Sequence, residues 1–151
     1  MTSLAFTLRA YTDADEDAAI ELWRRTWATH FPHIDFNSRV AWWRERWKQD
    51  LVPVTAIMIA ECDGALAGFM TIDETTGYLD QIVVAPEHWG KGIALALLDE
   101  AKRRAPGGIE LLVNKDNTRA IKFYEKHGFV FVGEDKNPVS GIPVNRMKWR
   151  P

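Results

Sequence analysis

Phe6, Leu8 and Ala10 alternate with Thr7 and Arg9, the period of a strand. The rhythm then changes: Thr12 or Asp13 is placed to cap a helix with an acidic opening turn, and Ala19, Leu22, Trp23, Thr26 and Trp27 follow at helical spacing until Pro32. A second helix, opening at Asn37 or Ser38 and stopped by Pro53, carries Val40, Trp43, Trp47 and Leu51 on one face. From residue 54 the period returns to two. Strands over 54–61 and 65–72 flank the tight turn Asp63-Gly64, and a strand over 78–85 completes a meander. Pro86 ends that strand, Gly90 and Gly92 make a turn, and Ile93, Leu97, Leu98 and Ala101 open a helix. After the break at Pro106-Gly107-Gly108, residues 109–113 form a short apolar strand expected to be buried on both faces. Asn117-Thr118 starts a last helix with Ala120, Phe123, Tyr124 and His127 on one side, closed by Gly128. Residues 129–132 and 143–149 are expected to pair across a loop over 134–142.

The order β-α-α-β-β-β-α-β-α-β-β predicts one α/β domain over residues 1–151, with a mixed sheet and helices on both faces. A chain of 151 residues with 46% hydrophobic and 26% charged content suits one globular domain. A formal charge of −2 argues against a nucleic-acid partner, which would favour a basic chain. One cysteine, Cys62, excludes an internal disulfide and a cysteine-based metal site, and is expected to be a small buried hydrophobe. His30, His33, His88 and His127 show no ligand-like clustering, so no metal site is expected. The opening residues lack the pattern of a signal peptide and no apolar run is long enough for a membrane span, so a cytoplasmic protein with no membrane partner is expected.

The richest chemistry lies over residues 78–104. A strand turning through glycines into a helix leaves the helix's first N–H groups unpaired, with the positive end of the dipole behind them, a cradle for an anion such as phosphate. Two phosphate motifs fail here. A Walker loop needs glycine where Ala85 stands and Ser or Thr where Gly92 stands, and a dinucleotide fingerprint needs glycine at Leu95. The run Trp89-Gly90-Lys91-Gly92-Ile93-Ala94 instead resembles the acyl-CoA-binding signature Gln/Arg-x-x-Gly-x-Gly/Ala of the GNAT family, the GCN5-related N-acetyltransferases, with Trp89 in place of Gln or Arg. A second stretch, with Asn114, Asn117, Ala120, Phe123-Tyr124 and Gly128-Phe129 in order, resembles another signature of the same family. The predicted element order is also that of the GNAT fold, so the resemblance covers the entire chain.

The resemblance implies an enzyme that moves an acetyl group from acetyl-CoA to a primary amine by direct attack in a ternary complex, without a metal. It implies that the strand before Pro86 splays from that at 109–114, and that the pantetheine arm lies in the gap almost as an extra strand. Ile82 matches the residue whose N–H polarises the thioester carbonyl, and Val84 the one that bonds the pantetheine amides, with Val83 between them. Pyrophosphate would sit on the amides of Trp89, Gly90, Lys91, Gly92, Ile93 and Ala94, while Asn114, Asn117, Ala120 and Phe123 would border the arm. Tyr124 matches the general acid that protonates the leaving thiolate. Its structural alternative is a core tyrosine with its hydroxyl satisfied by backbone.

Asp80 is the candidate base. Alternation puts it on the face of Ile82 and Val84, where a carboxylate needs a purpose or a partner such as an arginine. Glu110 is expected to be solvated, and Leu112 stands where some relatives carry a glutamate base. Trp27, His30, Phe31, Trp42 and Trp43 fall where GNAT enzymes build the acceptor pocket, although an aromatic stripe on a helix also serves as core. A small-molecule amine with an apolar or aromatic body is the expected acceptor, and the protein is expected to be a monomer or homodimer. Three other functions compete: a non-catalytic CoA-binding module on the same fold, a protein or peptide N-acetyltransferase, and a nucleic-acid stacking surface. The last is supported only by arginines near the tryptophans, which Glu21, Glu45 and Asp50 offset.

Overall fold

The computed structural model describes residues 6–137 and 141–151. In chain order its elements are β1 (Phe6–Ala10), α1 (Glu16–His30), α2 (Val40–Arg46), β2 (Ala56–Cys62), β3 (Ala65–Ile72), β4 (Leu79–Val84), α3 (Ile93–Arg104), β5 (Ile109–Asn114), α4 (Thr118–Lys126), β6 (Val130–Lys136) and β7 (Pro143–Trp149). This is the expected order. Several boundaries differ, each for a local reason.

The second helix is three segments: a 3-10 turn at Asn37–Arg39, α2, and a π-turn at Trp47–Leu51 closed by the Val52 N–H on the Trp47 carbonyl at 2.9 Å. Residues four apart drift about 40° around an α-helix, and the wider π-turn takes up that drift. Trp43, Trp47 and Leu51 therefore all stay buried. Thr55 then donates both its N–H and its hydroxyl to the Leu51 carbonyl, at 2.8 Å each, so β2 begins at Ala56 and not at residue 54.

The strands form two antiparallel sheets, β1-β2-β3-β4 and β5-β7-β6. They meet at one parallel bridge between Tyr78 and Glu110, where the Glu110 N–H donates to the Gly77 carbonyl at 2.9 Å. The sheet is mixed through that bridge. Among the described residues β4 and β5 make no further ladder pairs, so the two strands part as expected.

One core lies on the α3 and α4 side, joining Met58, Met70, Ile72 and Val84 of the first sheet to Leu111, Val113 and Met147 of the second under Ile93, Leu97, Leu98 and Tyr124. The other packs α1 and α2 on Ile57, Ile59, Phe69, Val83 and Ala85, centred on Trp23 stacked against Trp43 at 4.6 Å. This second core draws nothing from β5, β6 or β7. That explains a departure from expectation: β5 buries Ile109, Leu111 and Val113 but leaves Glu110, Leu112 and Asn114 half-buried, so it is covered on one face only.

β6 runs on to Lys136 past a bulge at Val132, so residues 134–136, expected in a loop, pair with β7. Residues 138–140 of that expected loop lie outside the described residues. Cys62 is the buried last residue of β2. Among the described residues no helix is long and apolar enough to cross a membrane, and no group of three or more His, Cys, Asp or Glu could hold a metal.

Candidate active site

The ladder between β3 and β4 decides which backbone groups face the gap. The Ala85 N–H donates to the Ala67 carbonyl at 2.8 Å, and the Gln81 N–H reaches the Thr71 hydroxyl at 3.2 Å. In an antiparallel pair the direction of these groups alternates along the strand. Gln81, Val83 and Ala85 thus turn towards β3, and Ile82 and Val84 turn their N–H and C=O groups to the outer edge, towards β5. Val83 had been grouped with the ligand-binding residues. Its polar groups are committed to β3 and its side chain is buried beneath α1 and α2, so it offers the gap nothing.

At the end of β4 the chain passes a 3-10 turn (Pro86–His88) and enters α3 through Gly92, whose φ of 86° is left-handed and whose side-chain position meets nothing within 4 Å. Gly90 is equally open at φ 79°. No side chain caps α3, and its first intrahelical bond is from the Ala96 N–H to the Gly92 carbonyl at 3.0 Å. The N–H groups of Ile93, Ala94 and Leu95 are left at the positive end of the dipole. Gly68 brings this end of α3 close to the sheet, because a Cβ there would stand 2.8 Å from the Val83 carbonyl and 3.4 Å from the Ile93 side chain. Lys91 is exposed, with its ammonium 3.4 Å from His88 Nδ1.

Trp89 is half-buried. Its indole N–H donates to the Val84 carbonyl at 2.8 Å, its ring carries the Arg119 guanidinium at 4.2 Å, and its centroid is 5.2 Å from that of His30. This one side chain ties the end of β4 to α1 and to the first turn of α4. Burial and the Arg119 charge lower the His30 pKa.

On α4, Asn117 is the N-cap, its side-chain oxygen accepting from the Ala120 N–H at 3.2 Å, and the Asn114 carbonyl accepts from the Asn117 N–H at 2.9 Å. Both asparagines shape the β5–α4 turn. Ala120 and Phe123 are half-buried against the α3-side core. Tyr124 is 7% exposed, ringed by Phe123 at 5.5 Å and Phe129 at 5.4 Å. Its hydroxyl has no hydrogen-bond partner among the described residues, while its ring is part of the α3-side core. Burial alone pushes its pKa upward, so the phenol stays protonated.

Asp80 does not share a face with Ile82 and Val84. Thr71 pairs with Gln81 and Ile72 with Leu79, which leaves Asp80 as the extra residue of a bulge. Such an insertion breaks the alternation and turns the side chain to the α2 side. There Arg46 holds it with two hydrogen bonds of 2.8 Å, the carboxylate 11% and the guanidinium 24% exposed. Tyr78 lies within the field of both groups and is pushed up to about 12, first by burial and then by the Asp80 charge. Glu110, expected to be solvated, is half-buried and lies 3.3 Å from Arg146 and 3.7 Å from Lys148.

The acceptor-side aromatics divide. Trp27 stacks on Phe31 at 5.6 Å, and His30 joins both to Trp89 in a continuous row. Trp43 is wholly buried in the core and cannot line a pocket. Trp42 is 45% exposed and, among the described residues, touches no ring but Trp43, outside the row. Arg119 belongs to none of the sequence signals; a cation in the first turn of α4, where the dipole disfavours it, is the mark it leaves. Arg46 is one of the arginines near the tryptophans, and it supplies the arginine partner that a carboxylate in the β4 stretch calls for.

The domain is an α/β fold whose sheet opens beside an uncapped helix N-terminus. The chain belongs to the acetyltransferase (GNAT) family, whose sequence model matches residues 16–129. It is 30% identical over 145 residues to the peptidyl-lysine N-acetyltransferase YjaB of Salmonella typhimurium, which spans 93% of this chain and 94% of that one. Two solved structures share the fold. The solution structure of apo YjaB from Escherichia coli superposes with a TM-score of 0.76 at 18% identity, covering 96% of this chain and 97% of the other. The PaiA N-acetyltransferase of Thermoplasma acidophilum in complex with coenzyme A gives 0.73 at 20% identity, covering 97% and 99%.

Proposed function

We propose that the protein transfers an acetyl group from acetyl-CoA to a primary amine, both bound at once, with no covalent enzyme intermediate. The observation that carries this reading is the β4 edge, where Ile82 and Val84 turn their backbone groups away from β3 beside the uncapped turn of α3. The Trp89 N–H, expected in the cradle, is spent on the Pro86 carbonyl at 3.2 Å, but the open Cβ positions at Gly90 and Gly92 fit a pyrophosphate on the amides of residues 90–94, and Lys91 supplies a cation nearby. The Ile82 N–H polarises the thioester carbonyl and holds the oxyanion as the amine attacks. The C–S bond then breaks, and Tyr124 gives its proton to the sulfur. Its raised pKa is no obstacle, because the thiolate leaves into the same apolar surroundings and burial penalises both anions. Water carries the amine's proton away. Asp80 is bound on both oxygens by Arg46, so it serves to fix Arg46 at the α2 side and not as a free base.

The acceptor is a small amine with an apolar or aromatic body, which the row of Trp27, His30 and Phe31 would cover. A second reading, a lysine side chain on a protein, is favoured by the likeness to a peptidyl-lysine acetyltransferase. For the donor, CoA at one hundred times its Kd should stabilise the fold by about 2.7 kcal/mol and raise Tm by roughly 5–10 °C. Gly92→Asp should abolish that rise, because it fills the phosphate's approach and adds like charge. An equal rise in this variant means that the anion end of the donor binds elsewhere.

A further inference from the structure

We infer that Trp89 is an internal competitor for the donor: its indole occupies the Val84 carbonyl, and CoA must displace it to bind. The inference rests on the donor reading of the β4 edge and goes beyond it. Val84 turns its carbonyl away from β3 towards the gap, where an extended ligand would place an amide N–H. Trp89 Nε1 already stands at that point, 2.8 Å from the oxygen. The indole takes the hydrogen-bonding position on that oxygen that a pantetheine amide needs.

Two further contacts hold the ring there. Arg119, in the first turn of α4, lies 4.2 Å above its face, and His30, the last residue of α1, approaches at 5.2 Å. The bond, the cation–π contact and the His30 ring contact join β4, α4 and α1 through this one side chain. Donor binding exchanges an indole N–H for a pantetheine N–H at the same oxygen, so the net gain from that contact is small. The signature position occupied by Trp89, where Gln or Arg is usual, thereby sets the affinity for the donor.

The test is CoA affinity by calorimetry in wild type, Trp89→Phe and Gly92→Asp. Phenylalanine keeps a ring beneath Arg119 but removes the N–H together with the five-membered half of the indole, so Trp89→Phe should bind CoA about 3- to 10-fold more tightly than wild type. The wild-type protein gives an independent readout: the Trp89 indole N–H signal in a two-dimensional NMR spectrum should shift on saturation with CoA as its acceptor is lost. Equal or weaker CoA binding by Trp89→Phe, or an indole signal unmoved at saturation, overturns the competitor. If CoA binding is lost in Gly92→Asp while either of those results is found, the donor groove stands and only the role of Trp89 falls. Wild-type affinity in Gly92→Asp overturns both.

Discussion

Tyr124 carries its proposed role on one bond. The Tyr124 ring is buried, but its hydroxyl has no partner among the described residues and is not among the buried polar atoms left unpaired, so the oxygen keeps access to the surface. Removing it should therefore leave the fold intact and affect the proton delivered to sulfur. Tyr124→Phe is expected to lower kcat about 10- to 100-fold with CoA affinity unchanged, since an acid acts in the transition state and not in ground-state binding. Single-turnover kinetics check this, and wild-type rates there would make Tyr124 a packing residue. Its place was legible because the run Asn117, Ala120, Phe123-Tyr124, Gly128 fixes a helix face. The face of Asp80 was not, because a single inserted residue reverses alternation and leaves no mark in the local pattern.

Among the elements, α2 and its π-turn link the core to the acceptor side. Arg46 reaches Asp80 from the last turn of α2 and lies 5.2 Å over the Trp43 ring. Removing one member of such a pair leaves the other charge partly buried, which costs more than the pair contributes. Arg46→Met should destabilise the fold by about 2 kcal/mol, and adding Asp80→Leu should recover most of that loss. Denaturant midpoints of the two variants decide it, and a double variant no better than the single one would show that the pair itself stabilises. Most elements could be read from periodicity. The boundaries that moved, at the π-turn and along β6, were set by tertiary packing and by a bulge. β5 was misjudged for a related reason: its apolar run says nothing of α1 and α2 stopping short of its second face.

For the whole molecule, the joint between β1 and α1 ties stability to pH. Asp15 accepts two bonds from Arg9, at 2.8 and 2.7 Å, and one from the Thr12 N–H at 2.9 Å. The Arg9 bonds, first among the causes, lower its pKa to about 2. A carboxyl depressed on folding contributes stability above its unfolded value near 4, and loses it as pH falls through the folded value. Asp15→Asn should therefore lower stability by about 1 kcal/mol at pH 7, and the difference from wild type should shrink between pH 4 and pH 2. Urea titrations across that range check it, and a constant difference would mean that the ionised carboxylate is not the source.

The two sheets meet at one bridge and then part, and the whole functional reading depends on what fills that gap. The most direct measurement is release of free thiol from acetyl-CoA over a panel of primary amines: aromatic and aliphatic amines, polyamines, amino acids and lysine peptides. The account predicts amine-dependent thiol release by the wild-type protein, strongest with a small apolar or aromatic amine, and abolished by Gly92→Asp. CoA-induced stabilisation without thiol release for any amine would contradict it, and would make the protein a CoA-binding module without catalysis.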